Sequence, residues 1–291
     1  MASPLNAKTD AKTDARAEAA AGRPPPIRFQ GWIRVYVRAA GMIGVLLPCL
    51  LGHGFWRLLR LSSPWPRFFL GSAARIAGAR VTRTGTPMKR DVVYISNHVS
   101  WIDILAIAGQ SGSAFVAKAE IQMVPFVGWL ASLNRTIYVS REDRGGVAEQ
   151  IDRLRVALSE AWSVTIFPEG TTNDGKTLLP FKSSLLKILE PPPEGVVVQP
   201  LMLDYGDVGP EISWLGLESG KDNALRVMAR RGTFPLGVHF LDAFAPVDYP
   251  GRKAIAAESR NRTAAALERV TGATVTEFIG HDHWASGQGA L

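Results

Sequence analysis

A histidine and an aspartate lie five positions apart in YISNHVSWID, residues 94–103. An apolar, strand-like run precedes His98, and a helix-like run beginning near Ser100 carries Asp103 in its first turn. In this arrangement the carboxylate accepts a hydrogen bond from one imidazole nitrogen, and the other nitrogen can take a proton. Ser100 and Asp103 also resemble a helix capping box beside an ordinary loop histidine. These residues alone leave the catalytic and structural interpretations open.

A second polar segment, IFPEGTTNDG at residues 166–175, follows another strand-like run. Pro168 suits the exit from a strand, and Gly170 permits a positive φ or close approach of a ligand to the backbone. Glu169 is a charged residue between a buried strand and a turn. It either contacts a specific partner or is an exposed turn residue.

Two cations follow further strand-like runs. Lys118 ends FVAK, and Arg141 follows IYVS. At the edge of the sheet where His98 lies, these cations would bind a phosphate or a carboxylate. The alternative is that both are solvated charges at strand ends. The later run VVVQPLMLDY, residues 196–205, contains Pro200, which predicts an edge strand or a bulge.

Short apolar runs alternate with helical patterns across residues 80–275, which predicts one α/β domain with a mainly parallel sheet flanked by helices. Sites in such sheets lie where strands end and helices begin. The strand-like runs are DVVYIS, SAFVAK, RTIYVS, SVTIFP, VVVQPLMLDY and PLGVHFLDAF. The helix-like segments lie near 101–109, 125–133, 145–162, 181–190, 222–231 and 252–271.

The first 79 residues differ in composition from the rest of the chain. Residues 1–27 are small, charged and proline-rich, which predicts a disordered tail, and 276–291 is expected to be a flexible tail. Residues 28–79 read as a membrane-associated helical hairpin. Its segment 39–56 has no formal charge over 18 residues, near the lower limit of about 20 for a span.

Arginines flank this apolar segment on both sides, so the positive-inside rule assigns no orientation. We therefore expect a helix that enters one leaflet, kinks at Pro48 and places its arginines among anionic headgroups. An ordinary buried helix is the alternative. The flanking residues are Arg34, Arg38, Arg57 and Arg60.

The composition limits the classes of partner. The net charge of +7 favours anionic partners such as phospholipids, acyl carriers or nucleic acid. The chain lacks zinc-knuckle, RNP and basic-helix patterns, which argues against nucleic acid. Cys49 is the single cysteine, so the chain has no intramolecular disulfide and no cysteine-based metal site. The triplet HDH at 281–283 lacks a neighbouring carboxylate cluster, and we expect no metal there.

Together these segments resemble the PlsC-type 1-acyl-sn-glycerol-3-phosphate acyltransferase, or lysophospholipid acyltransferase, family over about residues 90–205. The similarity rests on N-H-x-x-x-x-D at 97–103, K-x-E…P-x-x-G from 118 to 128, F-P-E-G-T at 167–171 and the late proline-containing strand. This family implies transfer of a fatty acyl group from acyl-CoA or acyl-carrier protein, as co-substrate, to the hydroxyl of a lysolipid. It implies no other cofactor and no metal.

Under this resemblance, His98 is the general base on the acceptor hydroxyl, and Asp103 orients it. Backbone amides near 100–103 are candidates for stabilising the oxyanion. The family also implies an enzyme of the cell inner membrane, with membrane lipids as partners and the catalytic domain facing the cytoplasm. The expected substrate-binding residues are Lys118, Arg141, Glu169, Gly170, Thr171 and Thr172.

The chain departs from the family pattern at Thr172, where an arginine usually follows F-P-E-G-T. One phosphate ligand is missing unless Lys118, Arg141 or Lys182 replaces it. The expected acceptor is 1-acylglycerol-3-phosphate, giving phosphatidic acid. The alternative is lyso-ornithine lipid, which needs no phosphate site.

The sequence disfavours two other functional classes. A lipid-ester hydrolase with a Ser-His-Asp set is disfavoured, since no G-x-S-x-G segment occurs. A non-catalytic lipid-binding module is disfavoured by the joint presence of His98, Asp103, Glu169 and Gly170.

Overall fold

The computed structural model describes residues 16–118, 122–123, 128, 131–132, 134–139 and 163–276. Residues 16–20 are helical. The helices that follow are α1 (Phe29–Leu58), α2 (Trp65–Ala77), α3 (Ile102–Ser111), α4 (Gly209–Ile212), α5 (Gly220–Ala229) and α6 (Arg252–Thr271). The strands are β1 (Ala79–Thr84), β2 (Val92–Ser96), β3 (Ala114–Lys118), β4 (Ile137–Val139), β5 (Ser163–Ile166), β6 (Val197–Asp204) and β7 (Phe234–Phe240). Short 3₁₀ helices lie at Ser183–Leu189, Gly206–Val208 and Pro246–Asp248.

The seven strands form one sheet in the order β1-β7-β6-β2-β5-β3-β4. All neighbours are parallel except β6 and β7. This arrangement confirms the predicted α/β fold with a mainly parallel sheet. Parallel strands need cover on both faces, and every residue of β2 is buried.

Alternate residues of β2 face two different cores, as the two-residue period of a strand requires. Val92 and Tyr94 belong to the cluster that contains residues of α2 and α3. Val93 and Ile95 belong to the cluster on the other face, with residues of the 3₁₀ helix Ser183–Leu189 and of α6. The centre of the sheet, from which the site is built, is therefore held from both sides.

Helices α2 and α3 cross with their backbones in contact at a glycine pair. A Cβ atom built on Gly109 would lie 2.6 Å from the Cα of Gly71, closer than real Cβ contacts allow. The missing side chains let α3 lie directly on α2. Because α3 carries Asp103 in its first turn, this crossing helps to set the position of that carboxylate.

Helix α1 has 30 residues, which corresponds to about 45 Å. Within the described residues it alone is long and apolar enough to cross a membrane, and only 17% of its most apolar window is buried. The helix is unbroken through Pro48. Its exposed large apolar side chains are Phe29, Trp32, Ile33, Tyr36, Val37, Ile43, Leu47, Leu51, Phe55 and Leu58.

Arg34 and Arg38 bind protein carbonyls, whereas the sequence predicted contacts with lipid headgroups. Arg34 donates to the Ala229 carbonyl at 3.0 Å. Arg38 donates to the carbonyls of Val227 and Met228 at 3.1 and 2.9 Å. These carbonyls end α5, where unpaired acceptors and the helix dipole favour cations. The two arginines therefore attach α1 to the α/β domain.

Pro200 lies in β6 at the centre of the sheet, so the predicted edge position is wrong. In the antiparallel register, Pro200 lies opposite Leu241, the residue after β7. The Leu241 N–H donates to the Pro200 carbonyl at 3.0 Å, but proline has no N–H to return to the Leu241 carbonyl. The Leu241 carbonyl accepts instead from Nε2 of Gln199 at 2.9 Å. A neighbouring side chain thus replaces the donor that proline lacks, and a central position becomes tolerable.

Three other differences concern element boundaries. The helix expected at 181–190 is a 3₁₀ helix, and β1 was not anticipated because its sequence, ARVTRT, has no apolar run. The predicted disorder does not extend to residues 16–22, since Ala19 is buried and the Ala20 carbonyl accepts from the Leu217 N–H at 2.8 Å. Residues 1–15, 145–162 and 277–291, and most of 125–133, lie outside the described residues.

Candidate active site

The site lies where three neighbouring parallel strands end. β6 and β5 flank β2, and all three run in the same direction. Their carboxyl ends therefore meet at one edge of the sheet, the usual place for a site in an open α/β sheet. His98 follows β2, Glu169 follows β5 and Tyr205 follows β6.

His98 and Asp103 form the predicted pair. Nδ1 of His98 lies 2.8 Å from Oδ2 of Asp103. The Asp103 side chain is fully buried, and that of His98 is 18% exposed. Oδ2 also accepts from backbone N–H groups, so Asp103 acts as the acceptor and Nδ1 as the donor. In the neutral ring this tautomer leaves Nε2 as the nitrogen that can act as a base.

Asp103 accepts four hydrogen bonds from the described residues. Oδ2 receives the N–H groups of Val99 and Ser100 at 2.6 and 2.9 Å, in addition to His98. Oδ1 receives the hydroxyl of Tyr205 at 2.5 Å. A buried carboxylate needs such donors, and these donors fix its orientation.

The start of α3 differs in detail from the predicted capping box. Trp101 occupies the cap position, and Oγ of Ser100 has no hydrogen-bond partner among the described residues. The reciprocal half of the box is present, because Asp103 reaches back to the N–H of Ser100. The N–H of Asp103 itself donates to the Ser100 carbonyl at 3.1 Å. The amides of Ser100 and Asp103 are therefore occupied, which removes two of the candidate oxyanion donors.

Phe167 holds the imidazole from one side. Its ring stacks on that of His98 with centroids 4.1 Å apart and an interplanar angle of 17°. Phe115 stacks in turn on Phe167 at 6.0 Å. With Nδ1 tied to Asp103 and one ring face covered by Phe167, the orientation of the His98 ring is fixed.

Asn173 joins the F-P-E-G segment to the histidine loop. Its N–H donates to the His98 carbonyl at 2.7 Å. Its Nδ2 lies 3.0 and 2.7 Å from the two carboxyl oxygens of Glu169, and its Oδ1 accepts from the Gly175 N–H at 2.7 Å. Burial raises the pKa of the Glu169 carboxyl well above its usual range, although Asn173 and the His98 backbone oppose the shift.

Two further contacts fix the same loop. Nδ2 of Asn97 donates to the Leu203 carbonyl at 3.1 Å, and the Leu203 N–H donates to Oδ1 of Asn97 at 2.8 Å. On the other side, the N–H of Trp214 donates to the Val99 carbonyl at 3.0 Å. The hydroxyl of Thr172 donates to the Trp214 carbonyl. The histidine loop is thus bonded to β6, to the F-P-E-G segment and to the segment around Trp214.

Known proteins share both the sequence pattern and the fold. A family model described as Acyltransferase matches residues 78–204. The chain is 30% identical over 257 residues to a lyso-ornithine lipid O-acyltransferase of Brucella abortus, a match that covers 82% of this chain and 95% of that relative. The chain belongs to the PlsC-type acyltransferase family. It is a lysolipid acyltransferase.

Two other acyltransferases frame this assignment. A 1-acyl-sn-glycerol-3-phosphate acyltransferase of Neisseria gonorrhoeae is 35% identical over 116 residues, 40% of this chain and 45% of that relative. The crystal structure of the 1-acyl-sn-glycerophosphate acyltransferase PlsC from Thermotoga maritima superposes with a TM-score of 0.60 at 19% identity. The superposition covers 84% of this chain and 96% of that one. At that identity the PlsC structure supports the fold of this acyltransferase.

The predicted acceptor residues of this acyltransferase have different surroundings. Glu169 is buried with Asn173, Thr171 is exposed, and Gly170 has a φ of +73° that favours glycine. Thr172 is 8% exposed and bound to a carbonyl. The backbone of Lys118 ends β3, but its side chain lies outside the described residues, as do Arg141 and residues 281–283. Their expected roles stay predictions.

Lys182 lies next to the third motif of the acyltransferase. Its N–H donates to the Pro168 carbonyl at 2.8 Å. Its expected role as a replacement for the missing arginine stays a prediction.

Sequence reasoning missed Asn173 and Tyr205. Both are fully buried and polar, and both contact the motifs directly. Tyr205 did carry a signal, because it follows a strand by one residue, as His98 follows β2 by two. The signal for Asn173 was its place two residues after F-P-E-G-T.

Proposed function

We propose that this chain transfers a fatty acyl group from an acyl thioester to the hydroxyl of lyso-ornithine lipid, with His98 as general base. The observation that carries the proposed mechanism is the 2.8 Å hydrogen bond between Nδ1 of His98 and the fully buried carboxylate of Asp103. This bond leaves Nε2 as the basic nitrogen of a ring that is 18% exposed.

The proposed reaction proceeds by direct attack. Nε2 of His98 takes the proton of the acceptor hydroxyl as the oxygen attacks the thioester carbonyl. The tetrahedral intermediate then collapses, the carbon–sulfur bond breaks, and the imidazolium returns the proton to the leaving thiolate. Asp103 stabilises the imidazolium and preserves the tautomer. A positioned base contributes about 10²–10⁴-fold to the rate.

Two observations favour lyso-ornithine lipid over the 1-acylglycerol-3-phosphate predicted first. By sequence, the Brucella relative matched over 95% of its length is named for lyso-ornithine lipid, whereas the Neisseria relative named for the phosphate acceptor is matched over 45%. The PlsC structure is covered over 96% but is only 19% identical, so it bears on the fold and not on the acceptor. In addition, Thr172 replaces the arginine associated with the acceptor phosphate, and its hydroxyl binds the Trp214 carbonyl. A neutral, occupied side chain there suits an acceptor that has no phosphate.

In this proposal the active site lies next to the membrane surface. Helix α1 exposes a row of large apolar side chains and is attached to the domain by Arg34 and Arg38. We infer that this helix enters the cytoplasmic face of the inner membrane, where the lipid acceptor and the cytoplasmic acyl-CoA or acyl-carrier protein meet. The net charge of +7 favours both anionic lipid and anionic donor.

The acceptor is tested with the purified full-length chain, a labelled acyl-CoA or acyl-carrier protein, and a panel of lysolipids. We expect transfer to lyso-ornithine lipid with a kcat/KM at least about tenfold above that for 1-acylglycerol-3-phosphate. The opposite preference would overturn the acceptor and leave the mechanism intact. Release of free fatty acid without an acceptor would instead indicate a hydrolase.

The mechanism is tested by His98→Ala and Asp103→Asn, each expected to lower kcat at least about 10²-fold. His239→Ala is the matched control, because that ring pairs with Oγ1 of Thr84 at 2.7 Å on the far side of β7 from the site. Asp207→Asn controls for the loss of a surface charge at the same edge. Normal turnover in either site variant would contradict the assignment of the base.

A further inference from the structure

Tyr205 is a buried side chain that points from β6 into the catalytic pair. It follows β6 by one residue, and β6 lies beside β2, the strand that leads to His98. The residue is fully buried, and its ring stacks on Phe234 with centroids 6.1 Å apart. Its hydroxyl donates to Oδ1 of Asp103 at 2.5 Å.

The two oxygens of Asp103 have separate partners. Oδ2 accepts from Nδ1 of His98 and from two backbone N–H groups. Within the described part of the chain, Oδ1 accepts only from Tyr205. Three donors from its own loop position one end of the carboxylate, and Tyr205 positions the other end from across the sheet.

We propose that Tyr205 is a positioning residue for the acyl transfer: its hydroxyl holds Asp103 in the orientation that binds His98 and moderates the negative charge that stabilises the imidazolium. This proposal rests on the proposed function, because it assigns Tyr205 a role through His98 as base. A hydroxyl on Oδ1 withdraws charge from the carboxylate, and its removal leaves a stronger partner for the protonated ring.

The electrostatic surroundings give the expected change a definite sign. Burial raises the pKa of the Tyr205 hydroxyl well above its usual range, and the Asp103 charge acts in the same direction, so the hydroxyl remains a donor. Among the described residues, the other titratable groups that act on this centre are His98, in contact with Asp103, and Glu169, which interacts electrostatically with Asp103 and with Arg260. Tyr205→Phe changes none of these groups. Without the hydroxyl the imidazolium is stabilised more. On acidification, activity is therefore lost at a higher pH than in the wild type.

Tyr205→Phe is compared with Tyr94→Phe in the purified full-length chain. Tyr94 is the matched control, because it is also fully buried but donates to the backbone carbonyl of Met88. For Tyr205→Phe we expect kcat to fall about tenfold with little change in KM, since hydrogen bonds to charged groups are worth roughly that factor. We also expect the midpoint of the acid limb of the kcat profile to rise by about 0.5–1 pH unit. Tyr94→Phe should change neither.

A second variant guards against simple loss of folding. 3-Fluorotyrosine placed at position 205 alone keeps the ring and the hydroxyl but makes the hydroxyl a stronger donor. The acid limb should then move to lower pH, opposite to Tyr205→Phe, which a packing defect would not produce. An unchanged pH profile in both variants would overturn the proposal. A wild-type chain that transfers to no lysolipid would contradict the proposed function itself, whereas an active wild type with an unaffected Tyr205→Phe variant contradicts only the role of Tyr205.

Discussion

Asn173→Asp is an almost isosteric change at the junction of the two main motifs. The variant keeps the backbone N–H that donates to the His98 carbonyl, and it keeps an oxygen for the Gly175 N–H. It loses the Nδ2 group that lies 3.0 and 2.7 Å from the two oxygens of Glu169. Two buried carboxyl groups would then face each other. The substitution therefore isolates one side-chain interaction.

The size of the stability loss follows from the contacts that the variant loses and from typical hydrogen-bond energies. A hydrogen bond contributes about 0.5–1.5 kcal/mol, and a buried polar group left without a partner costs a further amount of about 1–3 kcal/mol. We therefore expect Asn173→Asp to lower the free energy of unfolding by about 3 kcal/mol at pH 8. At about 2–4 °C per kcal/mol, the melting temperature should fall by about 6–12 °C.

A reciprocal exchange sharpens this prediction. In the double variant Glu169→Gln, Asn173→Asp, the amide of residue 169 donates to the carboxylate of residue 173, so the bond is restored in the opposite direction. The double variant should be more stable than the sum of the two single changes predicts by about 2 kcal/mol. Such coupling is expected only for side chains in direct contact.

The measurement is thermal unfolding followed by circular dichroism, with all variants in one detergent. Asn261→Asp is the control, since that asparagine is exposed on α6 and the same chemical change should have almost no effect. Our reasoning would be refuted if Asn173→Asp melted with the wild type, or if the double variant were no better than additive.

Three further predictions follow from other contacts. Because burial raises the pKa of Glu169, its contribution to stability is full below about pH 4.5 and is lost as pH rises toward its folded pKa. Glu169→Gln should flatten that part of the pH dependence in urea denaturation, and an unchanged slope would count against it. Thr172→Arg places a cation beside the third motif, so the kcat/KM ratio of 1-acylglycerol-3-phosphate to lyso-ornithine lipid should rise about tenfold in competition assays. Arg38→Ala removes the hydrogen bonds to the end of α5 and to the Gly232 carbonyl, and it should lower stability by about 2 kcal/mol in thermal melts. Arg38→Lys should recover less than half, because lysine lacks the planar fork.

The sequence was sufficient where local pattern decides structure. The runs that became β2, β5 and β6 are short and apolar, and polar motifs end them, so both the strands and their shared edge were predictable. That the side chains of His98 and Asp103 face each other was also predictable, because a side chain in the first turn of a helix lies over the loop before it. These local rules need no knowledge of which strands are neighbours.

The contacts that were missed depend on sheet order. Tyr205 and Asp103 are 102 residues apart and meet only because β6 lies beside β2. Pro200 was predicted at an edge because proline lacks the N–H that an interior strand uses. The donor that compensates is the side chain of Gln199, which binds the Leu241 carbonyl, and the local sequence does not show this contact. In β1, exposed polar residues alternate with few apolar ones, so periodicity gave no signal. Such long-range pairings have no counterpart in local pattern.

The glycine pair between α2 and α3 also limits how this lineage can diverge. Position 109 is six residues from Asp103 along α3, about 9 Å along the helix axis. A Cβ at Gly109 would lie 2.6 Å from the Cα of Gly71, so the helices would have to separate, whereas a Cβ at Gly71 would lie 3.3 Å from the Cα of Gly109. Separation of the helices at Gly109 would move the first turn of α3, and with it Asp103, relative to His98. Position 109 therefore tolerates no side chain as long as the enzyme depends on the placement of Asp103, whereas position 71 can accept alanine.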